Sequence, residues 1–378
     1  MGKRREKTST TPRGIYLAAL LALRDWFERQ KRVLPWRDRP TLYRVWISEI
    51  MLQQTQVITV VPYFERFLER FPTVEALAQA PEDAVLAAWA GLGYYSRARN
   101  IHRAAQQIVE RGGFPKDREG WLDVPGVGPY TAGAILSIAL NLPEAILDGN
   151  VERVLSRVRR VSRTHGEAIY KVRLWRLARV FVRDGARHDV RPSQLNQALM
   201  ELGATVCTPR NPRCEQCPIQ PLCRAFAAGE AEAYPPKKKP KEWIQVQEQM
   251  DCFLDDRNRV WVEKRSRGEW RAGLWDLPGQ RTAAKATQSP KPGNRPFVRH
   301  AQLIGEVQTK HVVTRHKIVR TTRIWRVPAR WTAAETDPNP AEREAQARWV
   351  EIDQEDLALG SAFHRTLEAV RRRLDALL

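Results

Sequence analysis

The sequence predicts a two-part chain: an all-α N-terminal domain built around a helix–hairpin–helix, then an α+β C-terminal domain. Three observations predict it. Apolar residues recur at helical spacing as far as about residue 203, with almost no period-2 alternation. A basic, proline-rich run from Tyr234 to Lys241 marks a boundary. Beyond it, residues 246–254, 259–264, 303–308 and 317–327 read as strands, and 361–377 as a closing helix. A length of 378 residues, 43% of them hydrophobic, is enough for two real cores. The expected boundaries are a basic disordered arm over 1–14, a first domain over 15–233, a linker over 234–244 and a second domain over 245–378.

Taken in order, residues 15–33 form an amphipathic helix that Leu34-Pro35-Trp36-Arg37 breaks. A second helical pattern runs from Tyr43 to Gln56 and carries Glu49 among Val45, Trp46 and Leu52, its neighbours at i−4, i−3 and i+3. A carboxyl in such surroundings is held toward its neutral form and can donate a proton. Gln53, Gln54 and Thr55 follow at the helix end, two amides and a hydroxyl suited to base edges. Helices at 57–70, 73–79 and 81–89 lead to a glycine-hinged loop, 91–100. There Tyr94 can wedge into a strand and Arg97 can hold phosphate. A helix over 100–111 leads to the central hairpin.

Pro125, Gly126, Val127 and Gly128 form a tight turn, and Pro129 starts a helix of small and apolar residues that runs to Leu140. The free N–H groups of the turn and helix N-terminus are suited to a DNA phosphate. Asp148 follows about one helix later, where a carboxylate can face the gripped strand. Further helices are expected at 151–161, 167–183 and 193–203.

Lys and Arg total 63 against 43 Asp and Glu, a net charge of +20, which points to a polyanion and to nucleic acid first. No apolar run is long enough to span a membrane, and no signal peptide is seen. Cys207, Cys214, Cys217 and Cys223 fall within 17 residues at spacing C-x6-C-x2-C-x5-C. Four thiolates so placed can hold tetrahedral zinc or an iron–sulfur cluster, and spacing alone leaves both open. Arg210 and Arg213, between the first two cysteines, can reach backbone phosphate. Cys252 reads as a core residue.

Together these segments resemble the adenine DNA glycosylase (MutY) family of helix-hairpin-helix glycosylases. The resemblance rests on Ser48 to Val57, Gly91 to Arg97, Val124 to Gly133, Leu147 to Val151 and the cysteine loop. It is close over about residues 15–278. It implies a six-helix barrel at about 35–140 and a cluster subdomain from 15–34 and 141–233. It further implies a 4Fe–4S cluster on the four cysteines, Glu49 as general acid, Asp148 as second carboxylate, and Tyr130 and Asn150 as supports. Gln54, Thr55 and Tyr94 map to positions that insert around the lesion strand. The implied partner is double-stranded DNA with an 8-oxoguanine:adenine or guanine:adenine mispair. The expected protein is a monomer of the bacterial cytoplasm, at the nucleoid.

A glycosylase that also nicks DNA needs a lysine nucleophile. Related endonuclease III-type enzymes carry it where this chain has Tyr130, and no lysine lies between Lys116 and Lys171. Base removal without efficient strand scission is therefore expected, and a bifunctional pyrimidine-lesion glycosylase is the competing reading. The C-terminal domain resembles the family's Nudix-like lesion-recognition domain. Arg343-Glu344 lacks the rest of a hydrolase metal helix, so no nucleotide hydrolysis is expected. Where the family places Phe-Ser-His, this chain has Val313-Thr-Arg-His316, so Thr314 and Arg315 become the candidates for contact with the lesion strand.

Overall fold

In the computed structural model, the residues described are 12–164, 166–236, 242–266, 272–283, 296–329, 346–351 and 357–376; the side chains of 12–15, 281–283 and 296–297 are not part of that description. Thirteen helices occupy the first 236 residues, among those described. They are α1 (Pro12–Gln30), α2 (Pro35–Asp38), α3 (Leu42–Leu52), α4 (Val57–Arg70), α5 (Val74–Gln79), α6 (Glu82–Ala88), α7 (Ser96–Glu110), α8 (Arg118–Leu122), α9 (Pro129–Leu140), α10 (Gly149–Arg159), α11 (Glu167–Ala186), α12 (Pro192–Thr205) and α13 (Arg224–Ala227). The expected all-α character holds. α1 starts inside the segment read as a disordered arm, and α3 ends at Leu52, where Gln53 caps it.

By its contacts the chain parts into two units, Met1–Ala78 with Asn100–Lys239, and Gln79–Arg99 with Pro240–Leu378. Residues 79–99, expected inside the first domain, thus group with the second. The reason is local bonding: Lys264 reaches Asp83 at 2.7 Å, Arg99 donates to the Ala272 carbonyl at 2.5 Å, and the Tyr95 hydroxyl donates to the Leu359 carbonyl at 3.4 Å.

In the first unit, α12 packs on α1, α9 and α10, and α3 packs on α9. Two close approaches need glycine, one between α9 and the loop that follows it and one between α12 and α10. A Cβ on Gly133 would stand 2.3 Å from the Ala145 carbonyl oxygen, and one on Gly203 only 2.6 Å from the Asn150 Cβ. The core between them is apolar, including Leu20, Val154, Leu174, Leu195 and Leu199.

The second unit holds a mixed sheet of β1 (Ile244–Leu254), β2 (Val260–Lys264), β3 (Trp275–Asp276), β4 (Gly279–Ala283), β5 (Gln302–Val313), β6 (His316–Arg326) and β7 (Ala347–Val350). The order is β3-β2-β1-β6-β5; β1 and β6 run parallel, β4 pairs with β1 and β7 with β2. A helix α14 (Ser361–Asp375) packs against β5. Strands β3 and β4 lie outside the four segments read as strands from the sequence. The backbone of 279–283 finds partners on β1 from Met250 to Val246, which a local pattern does not reveal. Arg320 is fully buried and bonds Glu248 at 2.8 Å and both oxygens of Asp276 at 3.0 and 2.9 Å. Such a pair of acids is what makes a buried guanidinium tolerable. Arg343 and Glu344, with residues 237–241 of the linker and the first eleven residues, lie outside the described residues.

Candidate active site

α3 begins at Thr41, whose hydroxyl accepts from the Arg44 N–H, and its inward face carries Glu49 into the first unit. Glu49 is only 5% exposed. Burial pushes its carboxyl up to about 7; the Tyr130 hydroxyl and the charge of Arg37 pull the other way, and Asp148 adds to the rise.

The hairpin of Gly126 to Gly128 joins α8 to α9. Gly126 sits at φ 81°, and a Cβ there would also meet the Asn100 side chain at 3.0 Å. Gly128, the N-cap of α9, has nothing within 4 Å of its missing Cβ, and Pro129 takes the first helical position as expected. The turn therefore offers open backbone rather than a packed corner. Tyr130, one residue into α9, donates its hydroxyl proton to Glu49 Oε2 at 2.7 Å.

Asp148 is the N-cap of α10. Its Oδ1 accepts from the Val151 N–H at 2.7 Å, and its Oδ2 from the Asn150 side-chain amide at 3.0 Å. Burial raises this carboxyl, and these hydrogen bonds with the Arg153 charge oppose the rise. Arg153 donates to Asn150 Oδ1 at 2.8 Å, to the Gly203 carbonyl at 2.6 Å and to the Cys207 carbonyl at 2.7 Å. One guanidinium thus ties the support of Asp148 to the first cysteine of the loop.

Glu49, Tyr130, Asp148 and Asn150 all line one cleft of about 590 Å³, within the roughly 300–1,000 Å³ usual for ligand pockets. Gln53, Gln54 and Thr55 stand at its wall. Gln53 donates to Thr131 at 3.3 Å and is tied to the floor, whereas Gln54 is exposed at φ 58°. A non-glycine residue held in this left-handed region costs on the order of 1–2 kcal/mol, a strain met mostly at functional positions.

A group that the sequence reading passed over completes the cleft. Glu201, fully buried on α12, accepts from Arg32 at 2.6 and 3.1 Å and from Arg37 at 2.8 Å. These arginines hold its carboxyl below the usual range in spite of burial. Arg37 also donates to Gln197 at 3.1 Å. The available signal was an acid at i+4 from Gln197 and beside Leu202, on the face of α12 that turns inward.

The four cysteines of the loop wall a small cavity with Arg157, whose guanidinium lies 3.2 Å from Cys207 Sγ. No carboxylate lines this space. Arg210 and Arg213 are exposed nearby, and Arg213 braces the loop by donating to the Thr205 carbonyl.

The second unit places the remaining candidates. Tyr94 is 37% exposed at φ 50°. Arg97 departs from expectation: it is 7% exposed, donates to the Leu92 and Gly93 carbonyls at 3.3 and 3.2 Å, and stacks over Trp89 and Tyr94. It shapes the loop from within instead of meeting phosphate. Thr314 and Arg315 form the exposed two-residue turn between β5 and β6, with Thr314 at φ 54° and its hydroxyl turned to the Val313 carbonyl at 2.7 Å.

The family model described as HhH-GPD superfamily base excision DNA repair protein matches residues 47–180. The iron-sulfur binding domain of endonuclease III matches residues 207–223, so the cysteine loop is an iron–sulfur binding loop. The adenine DNA glycosylase of Buchnera aphidicola (subspecies Schizaphis graminum, strain Sg) is 37% identical over 276 residues, covering 72% of this chain and 78% of that protein. The chain belongs to the adenine DNA glycosylase family. The family's human protein is 45% identical over 222 residues, 56% of this chain, and the match spans only 40% of the human chain. For the rat protein these figures are 44% over 236 residues, 58% and 45%. The chain therefore spans less than half the length of the mammalian relatives it matches. A solved thermostable thymine-DNA glycosylase is 26% identical and covers 57% of this chain and 98% of its own, with a TM-score of 0.49. No helix among the described residues is long and apolar enough to cross a membrane.

Proposed function

We propose that this chain is a monomeric, monofunctional DNA glycosylase that hydrolyses the N-glycosidic bond of adenine mispaired with 8-oxoguanine, and less efficiently with guanine. Its place of work is the bacterial nucleoid. The observation that carries this reading is the meeting of Glu49 and Asp148, distant in sequence, in one cleft with unlike surroundings.

A base inside a duplex is out of reach, so the target adenine must leave the stack, at a cost of a few kcal/mol. The hairpin N–H groups at Gly126 and Gly128, helped by Arg210 and Arg213, hold the strand by its backbone; the Val127 N–H, expected to join them, is already donated to the Val124 carbonyl at 3.1 Å. Gln53, Gln54, Thr55 and Tyr94 are the groups assigned to the disturbed duplex. Glu201, its carboxylate oxygens already taken by Arg32 and Arg37, fixes those two arginines at the wall of the cleft. Glu49, its pKa raised to about 7 and so still partly protonated near neutrality, gives its proton to N7 and makes the base a leaving group. The sugar then develops oxocarbenium character, which Asp148 as the carboxylate, oriented by Asn150 and the α10 N-terminus, stabilises until water adds at C1′ and gives up its proton to a carboxylate of the cleft, while adenine departs with the electrons of the broken C1′–N9 bond.

Cys207, Cys214, Cys217 and Cys223 would hold a 4Fe–4S cluster, which supplies a structural cross-link to the loop when bound. The four cysteines line one small cavity with no carboxylate beside them, a donor set that suits an iron–sulfur cluster. In the second unit, Thr314 and Arg315 at the β5–β6 turn are assigned to the lesion strand, in a domain read as Nudix-like. Replacing Thr314 with Ala should impair excision from 8-oxoguanine:adenine more than from guanine:adenine; an equal effect removes that assignment.

The bifunctional reading meets a tyrosine at position 130 where lysine is required. The deciding experiment is single-turnover excision from an 8-oxoguanine:adenine duplex, with and without alkali. Strand breaks that appear only after alkali are expected for the wild type, and neither Glu49→Gln nor Asp148→Asn should excise at a comparable rate. Full activity in Glu49→Gln would overturn the acid assignment.

A further inference from the structure

α11 buries Tyr170, Leu174, Ala178, Phe181 and Val182 in the core of the first unit. Its opposite face carries Arg173, Arg176, Arg179 and Arg183, continued by Arg187 at the C-cap, at intervals of three, three, four and four residues. At 3.6 residues per turn they lie on one side of the helix, a ladder about 21 Å long. All five are exposed. On one flank, Arg159 and Arg160 join Arg173 and Arg176 around a groove of about 410 Å³ that no acid lines. On the other, Arg118, Arg179 and Arg183 surround Trp175 in a groove of about 320 Å³, where the one acid, Glu144, pairs with Arg118 at 2.6 Å.

An ordinary solvated helix face mixes signs and gains from i,i+4 pairs. Here the acids at hand are few. Asp184 lies 3.5 Å from Arg187, and Glu230 pairs with Arg160. Among the described residues, Arg173, Arg176 and Arg183 have neither an ion pair nor a hydrogen bond. The outer face therefore repels itself, which a covering polyanion would relieve. A ladder of guanidiniums along one side of a single helix suits a rod of regularly spaced phosphates better than a flexible acidic peptide, and 21 Å faces about six base-pair steps of one strand. None of these residues lines the catalytic cleft.

We propose that the outer face of α11, with Arg159 and Arg160, binds the backbone of a second DNA duplex, without regard to sequence, while the catalytic face holds the first. The protein would then bridge two duplexes and could pass from one to the other without full release.

The test uses the full chain and two undamaged duplexes carrying different fluorophores. The wild type should capture both at once. Arg173→Gln/Arg176→Gln/Arg183→Gln should keep binding of one duplex and lose co-capture by tenfold or more. The salt slope for the second duplex should fall by about three, at roughly 0.9 for each phosphate no longer neutralised. Each single Arg→Gln variant, checked by its melting curve, should show a partial loss. Wild-type capture of only one duplex, or co-capture unchanged in the triple variant, overturns the proposal. So does displacement of the second duplex by polyglutamate as readily as by unlabelled DNA. Binding of the first duplex and base excision are separate readouts, so failure here is distinguishable from failure of the glycosylase reading.

Discussion

The Tyr130 hydroxyl sits 2.7 Å from Glu49 Oε2 and donates to it. This bond favours the carboxylate and so holds the Glu49 pKa below where burial alone would set it. A general acid works in its protonated form, so excision should fall as pH rises through about 7. Tyr130→Phe removes the lowering bond, and the alkaline limb of a single-turnover pH profile should move to higher pH. An unmoved or lowered limb would mean that the hydroxyl does not act on Glu49.

The same burial has a cost in stability. Glu49 has a raised pKa when folded, so between its unfolded value of 4.5 and about 7 the native state binds more protons, and stability falls as pH rises. Glu49→Gln should then be more stable than the wild type above pH 7, by on the order of 3 kcal/mol. The gap should vanish near pH 4. Denaturant melts at the two pH values check this.

Asp148 is a helix cap, and the proposed reading also makes it the catalytic carboxylate; two variants separate the roles. Asn caps about as well as Asp, whereas Ala costs about 1 kcal/mol. Asp148→Asn should keep the wild-type melting temperature and lose excision; Asp148→Ala should lose both. Retained excision in the Asn variant would leave only the capping role.

Gly203→Ala tests the close approach of α12 to α10. The added methyl would stand 2.6 Å from Asn150 Cβ and 2.9 Å from its Cα and carbonyl oxygen. Relief must push Asn150 away from Asp148. We expect a stability loss of roughly 1–3 kcal/mol and an excision rate reduced by more than tenfold, measured by urea melts and single-turnover assays.

Tyr130→Lys places an amine in the cleft at the position of the present hydroxyl. Some Schiff-base chemistry at the sugar should appear, read as borohydride-trapped covalent complex, while the wild type traps little. Trapping of the wild type at the level of a true lyase would contradict monofunctional excision.

Much of this site is written locally. Glu49 stands out because its helical neighbours are apolar, and the hairpin because only glycine tolerates φ 81° at position 126. Other parts depend on partners far along the chain. Glu201 meets Arg32 across 169 residues and Arg37 across 164, so neither end announces the pair. The burial of Arg97 depends on carbonyls, which every residue has and no pattern marks. Residues 79–99 look like any helical stretch, yet bond to side chains and carbonyls beyond position 260. The short strands β3, β4 and β7 carry too few residues to show a period, and exist because neighbours pair with them.

Arg153 holds Asn150 with one nitrogen and the Cys207 carbonyl with another. Damage to the cysteine loop would therefore travel along a single side chain to Asn150 and, through its amide, to the Asp148 carboxylate. A molecule whose loop had come undone could keep its helices, still lie on DNA, and remain chemically silent there, occupying a lesion it cannot treat.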